Sequence, residues 1–335
     1  MRFRPSLPAV ILIMTPAVCL FLAVVSVLYG AKDISAETVW QALFSFDSSN
    51  VDHQIIRASR LPRALGALLI GAFLAVSGAL MQGMTRNYLA SPSIMGVADG
   101  SVFAVTIVMI LLPDTSSYGL IFSSMLGSLI GATIVFGLAW LVPGGLSPVK
   151  LAILGTIVGT FLSGISSAIS VYFQISQNIS FWYNARLHSM DPALIKLSLP
   201  FAAVGLLLAI GLSRFVTLLA LGEDTAKGLG VHTWLIRVLC TVAVVIMTGV
   251  AVALAGKIAF VGLIIPHIAR FFAGTDYRRI VPVSGALGAI FLLACDILAR
   301  FINYPFETPV GVVTSLIGVP FFLYLIKMKG GKSNV

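Results

Sequence analysis

Hydrophobic residues run along this chain in long uninterrupted stretches, separated by short polar segments. Ten stretches approach the roughly 20 residues that a helix needs to cross the apolar core of a bilayer. The eighth is short and the third begins with polar residues, so these two have the least defined boundaries. The ten predicted membrane helices lie near Pro8–Tyr29, Ala64–Gly83, Ile94–Leu112, Gly119–Val142, Val149–Phe173, Ile195–Val216, Trp234–Ala255, Ile258–Ala273, Ile280–Arg300 and Val310–Ile326.

Two shorter patterns add detail to this arrangement. Apolar and polar residues mix at helical spacing in Ser35–Phe46, which predicts an amphipathic helix on the external membrane surface. Glycines four residues apart, Gly127 with Gly131 and Gly155 with Gly159, predict close packing between membrane helices rather than a dedicated oligomer motif.

The composition excludes several classes of protein. Hydrophobic residues make up 59% of the 335 positions and charged residues 10%, whereas soluble domains average about a quarter charged. A water-soluble enzyme, a disordered chain and a nucleic-acid-binding module are therefore excluded, despite a net charge of +9. The three cysteines, Cys19, Cys240 and Cys295, lie inside apolar stretches and imply no disulfide framework.

The distribution of basic residues predicts the orientation. Ten helices put both termini on one side, and a cytoplasmic placement puts 13 of the 21 basic residues there, against three acidic residues. Arg2 and Arg4 precede the first stretch as in a signal peptide. That stretch is too long and lacks a small-residue cleavage site, so it is expected to be an uncleaved anchor. The exception to the charge rule is Arg57, Arg60 and Arg63, which crowd one external segment.

The chain lacks the residue clusters of a membrane enzyme. It has no HExxH or CxxC sequence, and Gly256-Lys257 lacks the other residues of a P-loop, so transport energy comes from an ion gradient or a separate ATPase. The candidate ion-coupling acids are few. Asp296 precedes Arg300 by four residues, a spacing that favours a helical ion pair over a proton relay. Asp99 is expected to cap the start of a helix. These interpretations favour a separate ATPase.

Three long motifs carry a resemblance to a known family. The first is RLPRALGALLIGAFLAVSGALMQGMTRNYLASPSIMGVADGS, from Arg60 to Ser101. The second joins LALGEDTAKGLGV (Leu219–Val231) to GKIAFVGLIIPHIARFFAGTDYR (Gly256–Arg278), and the third is ETPVGVVTSLIGVPFFLYLIK (Glu307–Lys327). In this order the chain resembles the ten-span permeases of binding-protein-dependent ABC importers for iron-siderophores, haem and cobalamin.

The resemblance implies an all-α, polytopic protein with ten transmembrane helices in the type II ABC importer permease fold, as a single domain over residues 1–335. It implies no enzymatic activity, no cofactor and no metal ligands of its own. The expected partners are a second permease, identical or similar, two cytoplasmic ATP-binding subunits and an extracellular substrate-binding protein. The expected cargo is a ferric siderophore of hydroxamate type, crossing the plasma membrane of a prokaryote. Haem or cobalamin import and an ion-coupled secondary transporter are the alternatives.

The resemblance also assigns roles to residues. Arginines at the external rim are expected to dock the binding protein; lipid headgroups or the Asp296 pair could instead account for them. The cytoplasmic segment between the sixth and seventh helices is expected to couple to the ATPase, although a solvated loop would have a similar composition. The docking residues are Arg57, Arg60, Arg63 and Arg300, and the coupling residues are Leu221, Gly222, Glu223, Asp224, Ala226, Gly228, Leu229 and Gly230.

Some positions depart from the family pattern. The resemblance places a cytoplasmic gate at Ser147, Pro148 and Val149, where proline and valine give an apolar constriction that resists leakage by dewetting. The external loop between the fifth and sixth helices carries Ala185-Arg186 in place of a small pair, which bears on cargo or partner. Tyr88 stands where relatives commonly have proline, and His267 is expected to serve packing rather than proton transfer.

Overall fold

Helices are the regular elements of the part of the chain that the computed structural model describes, residues 7–30, 32–92, 96–143, 148–184, 187, 190–304 and 306–330. A π-helical turn at Ile56–Arg60 joins the third helix to the fourth. In chain order the helices are α1 (Leu7–Leu28), α2 (Ala36–Phe44), α3 (Val51–Ile55), α4 (Leu61–Thr85), α5 (Val97–Leu111), α6 (Ser117–Leu141), α7 (Pro148–Tyr172), α8 (Ser176–Asn184), α9 (Pro192–Leu221), α10 (Glu223–Gly228), α11 (Thr233–Ala255), α12 (Val261–Ala273), α13 (Tyr277–Phe301) and α14 (Val310–Gly330).

Seven helical units of the described chain are long and apolar enough to cross a membrane: α1, α3 with α4, α6, α7, α9, α11 and α13. Three shorter apolar helices, α5, α12 and α14, occupy the third, eighth and tenth predicted segments. The all-helical membrane class is therefore confirmed. The count of ten full-length spans is not, because α5 has 15 residues and α12 has 13.

The second predicted helix begins earlier than its apolar pattern suggests. The helical path starts at Val51 and continues through the π-helical turn into α4. Asn50 caps this start, because its side-chain oxygen accepts hydrogen bonds from the backbone N–H groups of Asp52 and His53. Polar residues thus occupy the first helical turns, where the apolar pattern gives no signal.

The helix α4 is the centre of the bundle. It packs against α9, α11, α12 and α13, and most of its side chains are buried. Two glycines bring backbones into direct contact. A Cβ atom on Gly71 would collide with the backbone of Gly288 in α13, and one on Gly78 with that of Gly262 in α12. Small residues therefore set the distance between the central helices, as is typical of membrane bundles.

The predicted close packing at Gly127 and Gly131 is confirmed. Both residues lie on α6, and a Cβ atom on either would collide with a backbone carbonyl oxygen of Gly100 or Gly96 at the start of α5. These contacts make α5 and α6 one of the closest helix pairs of the described chain.

The predicted amphipathic segment Ser35–Phe46 forms α2. Ser35 caps this helix, since its hydroxyl oxygen accepts a hydrogen bond from the backbone N–H three residues later. Ala42 is fully buried in a small apolar cluster, whereas Trp40 is exposed. The segment is therefore an amphipathic helix with an aromatic face toward the surroundings.

Three residues singled out from the sequence cannot be compared with the structure. Ser147 of the gate and the pair Ala185-Arg186 lie outside the described residues. Pro148 and Val149 begin α7, and only their backbone is described. The apolar gate therefore stays a prediction.

Candidate functional site

A cluster of buried charges joins α13 to the start of α4. Asp296 is fully buried and accepts hydrogen bonds from Arg63 Nε at 2.9 Å and from Arg300 Nη2 at 2.5 Å. Arg63 Nη1 also donates to both carboxylate oxygens of Glu307, each at 2.8 Å, just before α14. Two arginines and two carboxylates make the cluster neutral, so each charge that leaves water has a partner.

Arginines of the same region also bind the end of α1. Arg300 Nη1 donates to the carbonyl oxygen of Ser26 at 2.7 Å, and its Nη2 donates to the Ser26 hydroxyl at 2.8 Å. Arg60, in the π-helical turn, donates to the carbonyl oxygens of Val27 at 2.6 Å and Leu28 at 3.0 Å. The last carbonyls of a helix have no partner within it, so these guanidinium groups cap α1 and hold it to α4 and α13.

The cluster bears on two predictions from the sequence, the ion pair of Asp296 and the docking role of the arginines. The predicted pair between Asp296 and Arg300 is confirmed, and Asp296 is engaged by Arg63 as well. Three of the four docking candidates, Arg60, Arg63 and Arg300, are buried with internal partners, and their docking role stays a prediction. Glu307 was missed as a partner of Arg63. Its signal was an acid directly before an apolar segment, on the side where a predicted arginine cluster lies.

Arg57 is the exposed member of the four docking candidates. Its Nε donates to the carbonyl oxygen of Ala42 at 2.9 Å, and its Nη2 to that of Leu43 at 3.0 Å. The guanidinium carbon lies 4.3 Å from the ring centre of Phe46, a cation–π distance. Arg57 therefore fixes the end of α2 and still presents its charge at the surface.

The predicted coupling segment forms the short helix α10 between α9 and α11. Glu223 begins it and pairs with Lys227 at 3.0 Å and with Arg237 of α11 at 2.8 Å. The hydrogen bond from Lys227, followed by that from Arg237, holds the pKa of Glu223 below its usual range. Ala226 is fully buried, and α10 packs mainly on α9. These contacts attach the short helix firmly to the bundle.

Apolar side chains and glycines flank α10. Leu221 and Leu229 are exposed, although they are large and apolar. Gly222 and Gly230 have φ angles of 137° and 76°, which a residue with a side chain rarely adopts. All eight predicted coupling residues therefore lie in or beside a fixed helix whose ends expose leucine side chains. Such a surface is suited to a groove on another protein.

The exposed faces of α1 and α7 differ in chemistry. Every exposed side chain of α1 is apolar, as expected for contact with lipid. On α7, exposed hydroxyl side chains recur every three or four residues and so lie on one face. Polar side chains of membrane helices normally face protein or a water-filled space, so this face marks a candidate path. The hydroxyl residues are Thr156, Thr160, Ser163 and Ser167.

The hydroxyl face borders a hollow of about 390 Å³ that contains a charged pair. Asp99 Oδ1 lies 3.0 Å from Lys257 Nζ, and Thr160 and Ser163 line the same hollow. The prediction that Asp99 caps a helix is wrong. Gly96 occupies the cap position of α5, and Asp99 lies in the first turn, where its carboxylate is bound by Lys257 instead.

Comparison with known proteins identifies the family. The FecCD transport family matches residues 18–328. This chain belongs to the FecCD transport family. The iron-uptake system permease protein FeuB of Bacillus subtilis is 58% identical, over 97% of both chains. The iron(3+)-hydroxamate import system permease protein FhuB of the same organism is 51% identical, over 95% of this chain and 83% of its own length.

Solved structures agree with this membership of the FecCD family. An inward-facing metal-chelate type ABC transporter has a TM-score of 0.81 and 29% sequence identity, over 96% of this chain and 99% of its own. PsaBC from Streptococcus pneumoniae has a TM-score of 0.56 at 15% identity, over 78% of this chain and 90% of its own, and shares the fold alone. The sequence-based resemblance to ABC importer permeases is therefore confirmed.

The histidine of the second family motif has a packing contact. The ring of His267 lies edge-on to that of Phe321 on α14, with 6.1 Å between their centres. Within the described part of the chain, no group of three or more His, Cys, Asp and Glu residues is arranged to hold a metal ion. The contact agrees with the packing role expected for His267.

The first prediction concerns the buried cluster. Replacing Asp296 by asparagine leaves Arg63 and Arg300 buried without their shared counter-charge, and breaking a buried pair typically costs about 3–5 kcal/mol. We expect Asp296→Asn to lower the melting temperature of the detergent-solubilised protein clearly more than Asp114→Asn, a control at an exposed loop position. A thiol-reactive dye reports melting, because the cysteines of α11 and α13 are buried. Equal melting temperatures for the two variants would contradict the structural role of the cluster.

Proposed function

We propose that this chain is the permease subunit of an ABC importer that carries a ferric siderophore, of hydroxamate type, into the cytoplasm. The observation that carries the proposal is high identity along the whole chain to two relatives, one named for iron uptake and one for iron(3+)-hydroxamate import. The hydroxyl face of α7 supports it, because a hydroxamate chelate presents oxygen atoms that accept hydrogen bonds from such side chains. Haem or cobalamin is the alternative cargo within the family.

The proposed orientation places both termini in the cytoplasm. It counts α5, α12 and α14 as spans, which gives ten, and it puts α10 on the cytoplasmic face. The end with α2 and Arg57 then faces outward. The distribution of basic residues supports this arrangement. The chain would reside in the plasma membrane of a prokaryote.

The proposed assembly contains three kinds of protein partner. A second permease, identical or similar, would face α7 and α14 and enclose the path. Each of two ATP-binding subunits would bind α10 of one permease. A substrate-binding protein would dock on the outer face. For Arg60, Arg63 and Arg300, docking would require acidic side chains of the binding protein to compete with internal partners. Arg57 needs no such exchange, so it is the strongest docking candidate.

The experiment that tests the transport function uses the complete complex in proteoliposomes. With the binding protein outside and ATP inside, we expect uptake of a radiolabelled ferric trihydroxamate that stops when ATP is replaced by a non-hydrolysable analogue. Uptake of haem or cobalamin but not of the ferric hydroxamate would overturn the choice of cargo. Uptake that follows an imposed proton or sodium gradient without ATP would favour a secondary transporter.

Leu229 tests the coupling surface. A polar side chain at this exposed position should weaken seating in the ATPase without disturbing the fold, so Leu229→Asp should lower co-purification of the ATPase at least about threefold. The matched control is Leu112→Asp, an equally exposed leucine directly after α5. The proposal fails if both variants retain the ATPase equally, provided that their melting temperatures match that of the unmodified protein.

Arg57 tests the docking surface. Charge pairs at a rim are worth about 0.2–1 kcal/mol, so Arg57→Gln should weaken binding of the substrate-binding protein up to about fivefold and reduce its dependence on salt. Arg57→Lys keeps the charge but loses the paired hydrogen bonds to α2, and it should bind nearly as well as the unmodified protein. If both variants lose affinity equally, Arg57 acts by holding α2 rather than through its charge.

A further inference from the structure

The charged pair formed by Asp99 and Lys257 lies deep in the membrane-spanning part of the bundle. A Cβ atom built on Gly159 would lie 2.6 Å from Asp99 Oδ2, so the carboxylate rests against this glycine. Gly159 is eleven residues from the start of the 25-residue helix α7 and thirteen from its end. At about 1.5 Å per residue, it is roughly 16–20 Å from either end. The pair therefore lies close to the middle of the membrane.

The backbone that carries Lys257 is not helical at this depth. Helix α11 ends at Ala255 and α12 begins at Val261, and between them Gly256 and Phe260 have φ angles of 72° and 68°. Non-helical backbone at membrane depth is tolerated only where protein covers it or where it lines a water-filled space. In transporters, helices interrupted near the midplane commonly form the binding site.

Lys257 lies where two hollows meet. One is the hollow of about 390 Å³ beside the hydroxyl face of α7. The other measures about 820 Å³ and runs along α14, where Pro309, Ser315 and Pro320 line it. Helix α7 packs mainly on α5 and α6, whereas α14 packs on α12 and α13. Lys257 therefore lies between a hollow beside α7 and a hollow beside α14.

Solvent exposure separates this pair from the cluster around Asp296. The Asp296 side chain is 0% exposed and that of Arg63 is 8% exposed, as expected for a structural cluster. The Lys257 side chain is 34% exposed and that of Asp99 is 12% exposed. A lysine or aspartate near the centre of a membrane helix costs about 2.5–3.5 kcal/mol on insertion scales, so such charges are rare without a function.

We propose that Asp99 and Lys257 form a cargo-contact site in the translocation path, where the lysine exchanges its carboxylate partner for the oxygen atoms of a ferric chelate. The inference rests on the proposed function and adds a named contact to it. The ammonium group has three donors on a flexible stem, so it can turn from Asp99 toward hydroxamate or other iron-bound oxygens. Thr160 and Ser163 line the same hollow, so their hydroxyl groups would be the donors nearest to hand for the Asp99 carboxylate while the lysine is turned away.

The pair also predicts which cargo the path accepts. An oxygen-ligated chelate with neutral or negative charge can replace Asp99 as the partner of Lys257, because its oxygens accept hydrogen bonds. A cationic chelate would be repelled by the ammonium group and could bind only the less exposed carboxylate. The ligand class is therefore a ferric chelate whose surface oxygens are uncharged or anionic.

The first test measures uptake with the complete complex and a ferric trihydroxamate. Loss of a charge-assisted hydrogen bond to the cargo lowers a rate or binding constant about tenfold or more. Lys257→Gln should therefore lower kcat/KM for uptake by about that factor. Lys257→Arg should retain most of the activity. The decisive variant is Asp99→Asn with Lys257→Gln, which removes both charges and leaves neither unpaired. A purely structural pair predicts that this double variant restores uptake; a cargo contact predicts that it stays impaired.

The second test detects the contact without relying on uptake. Lys257→Cys in the complex should react with a water-soluble thiosulfonate reagent, and the ferric trihydroxamate delivered by the binding protein should slow that reaction. Lys196→Cys, an exposed position on α9, is the control whose labelling the chelate should leave unchanged. Restored uptake in the double variant, or labelling of Lys257→Cys that the chelate does not affect, would overturn the proposal. Failure of the unmodified complex to import any ferric chelate would instead overturn the proposed function.

Discussion

A charge taken out of water must find a partner, and in this chain Asp296 meets that constraint for two arginines at once. Arg63 and Arg300 come from α4 and α13, and Arg300 also reaches α1, so one carboxylate fixes the relation of three helices. Lipid provides no hydrophobic drive between helices, so such contacts and close glycine packing have to hold the bundle together. Helix α4 also packs against α9, α11 and α12, so this fixed centre positions a large part of the bundle.

The need to give buried polar groups a partner also explains why α5 and α12 are shorter than a full membrane span. Helices α5 and α12 are too short to cross a membrane alone, and their starting segments meet at the pair of Asp99 with Lys257. Breaking a helix at this depth leaves backbone groups without helical partners, which is costly unless protein or water satisfies them. A hollow lined by hydroxyl groups supplies such surroundings. The two short helices therefore fit the proposed cargo path through the bundle.

Much of the architecture could be predicted from the sequence because long apolar stretches report membrane helices directly. The close packing at Gly127 and Gly131 and the pair of Asp296 with Arg300 were also visible, since both depend on neighbours four residues apart. The contact of Asp99 with Lys257 was not, because 158 residues separate them and the topology placed them near opposite membrane faces. The partnership of Arg63 with Glu307 was missed because 244 residues separate them, although both were expected on the external side. Local spacing predicts contacts within a helix, whereas pairs between distant helices depend on the packing.

The positive charge near the outer end of the bundle illustrates how burial changes the meaning of a sequence pattern. An excess of arginine outside a membrane protein suggests a binding surface, since the topology rule disfavours it there. Arg60, Arg63 and Arg300 are instead turned inward, where they satisfy helix-end carbonyls and buried acids. Guanidinium groups suit this task because their planar fork donates several hydrogen bonds at once. Arg57 at the surface and Lys257 in the hollow beside α7 keep part of their charge accessible, so both can contact other molecules.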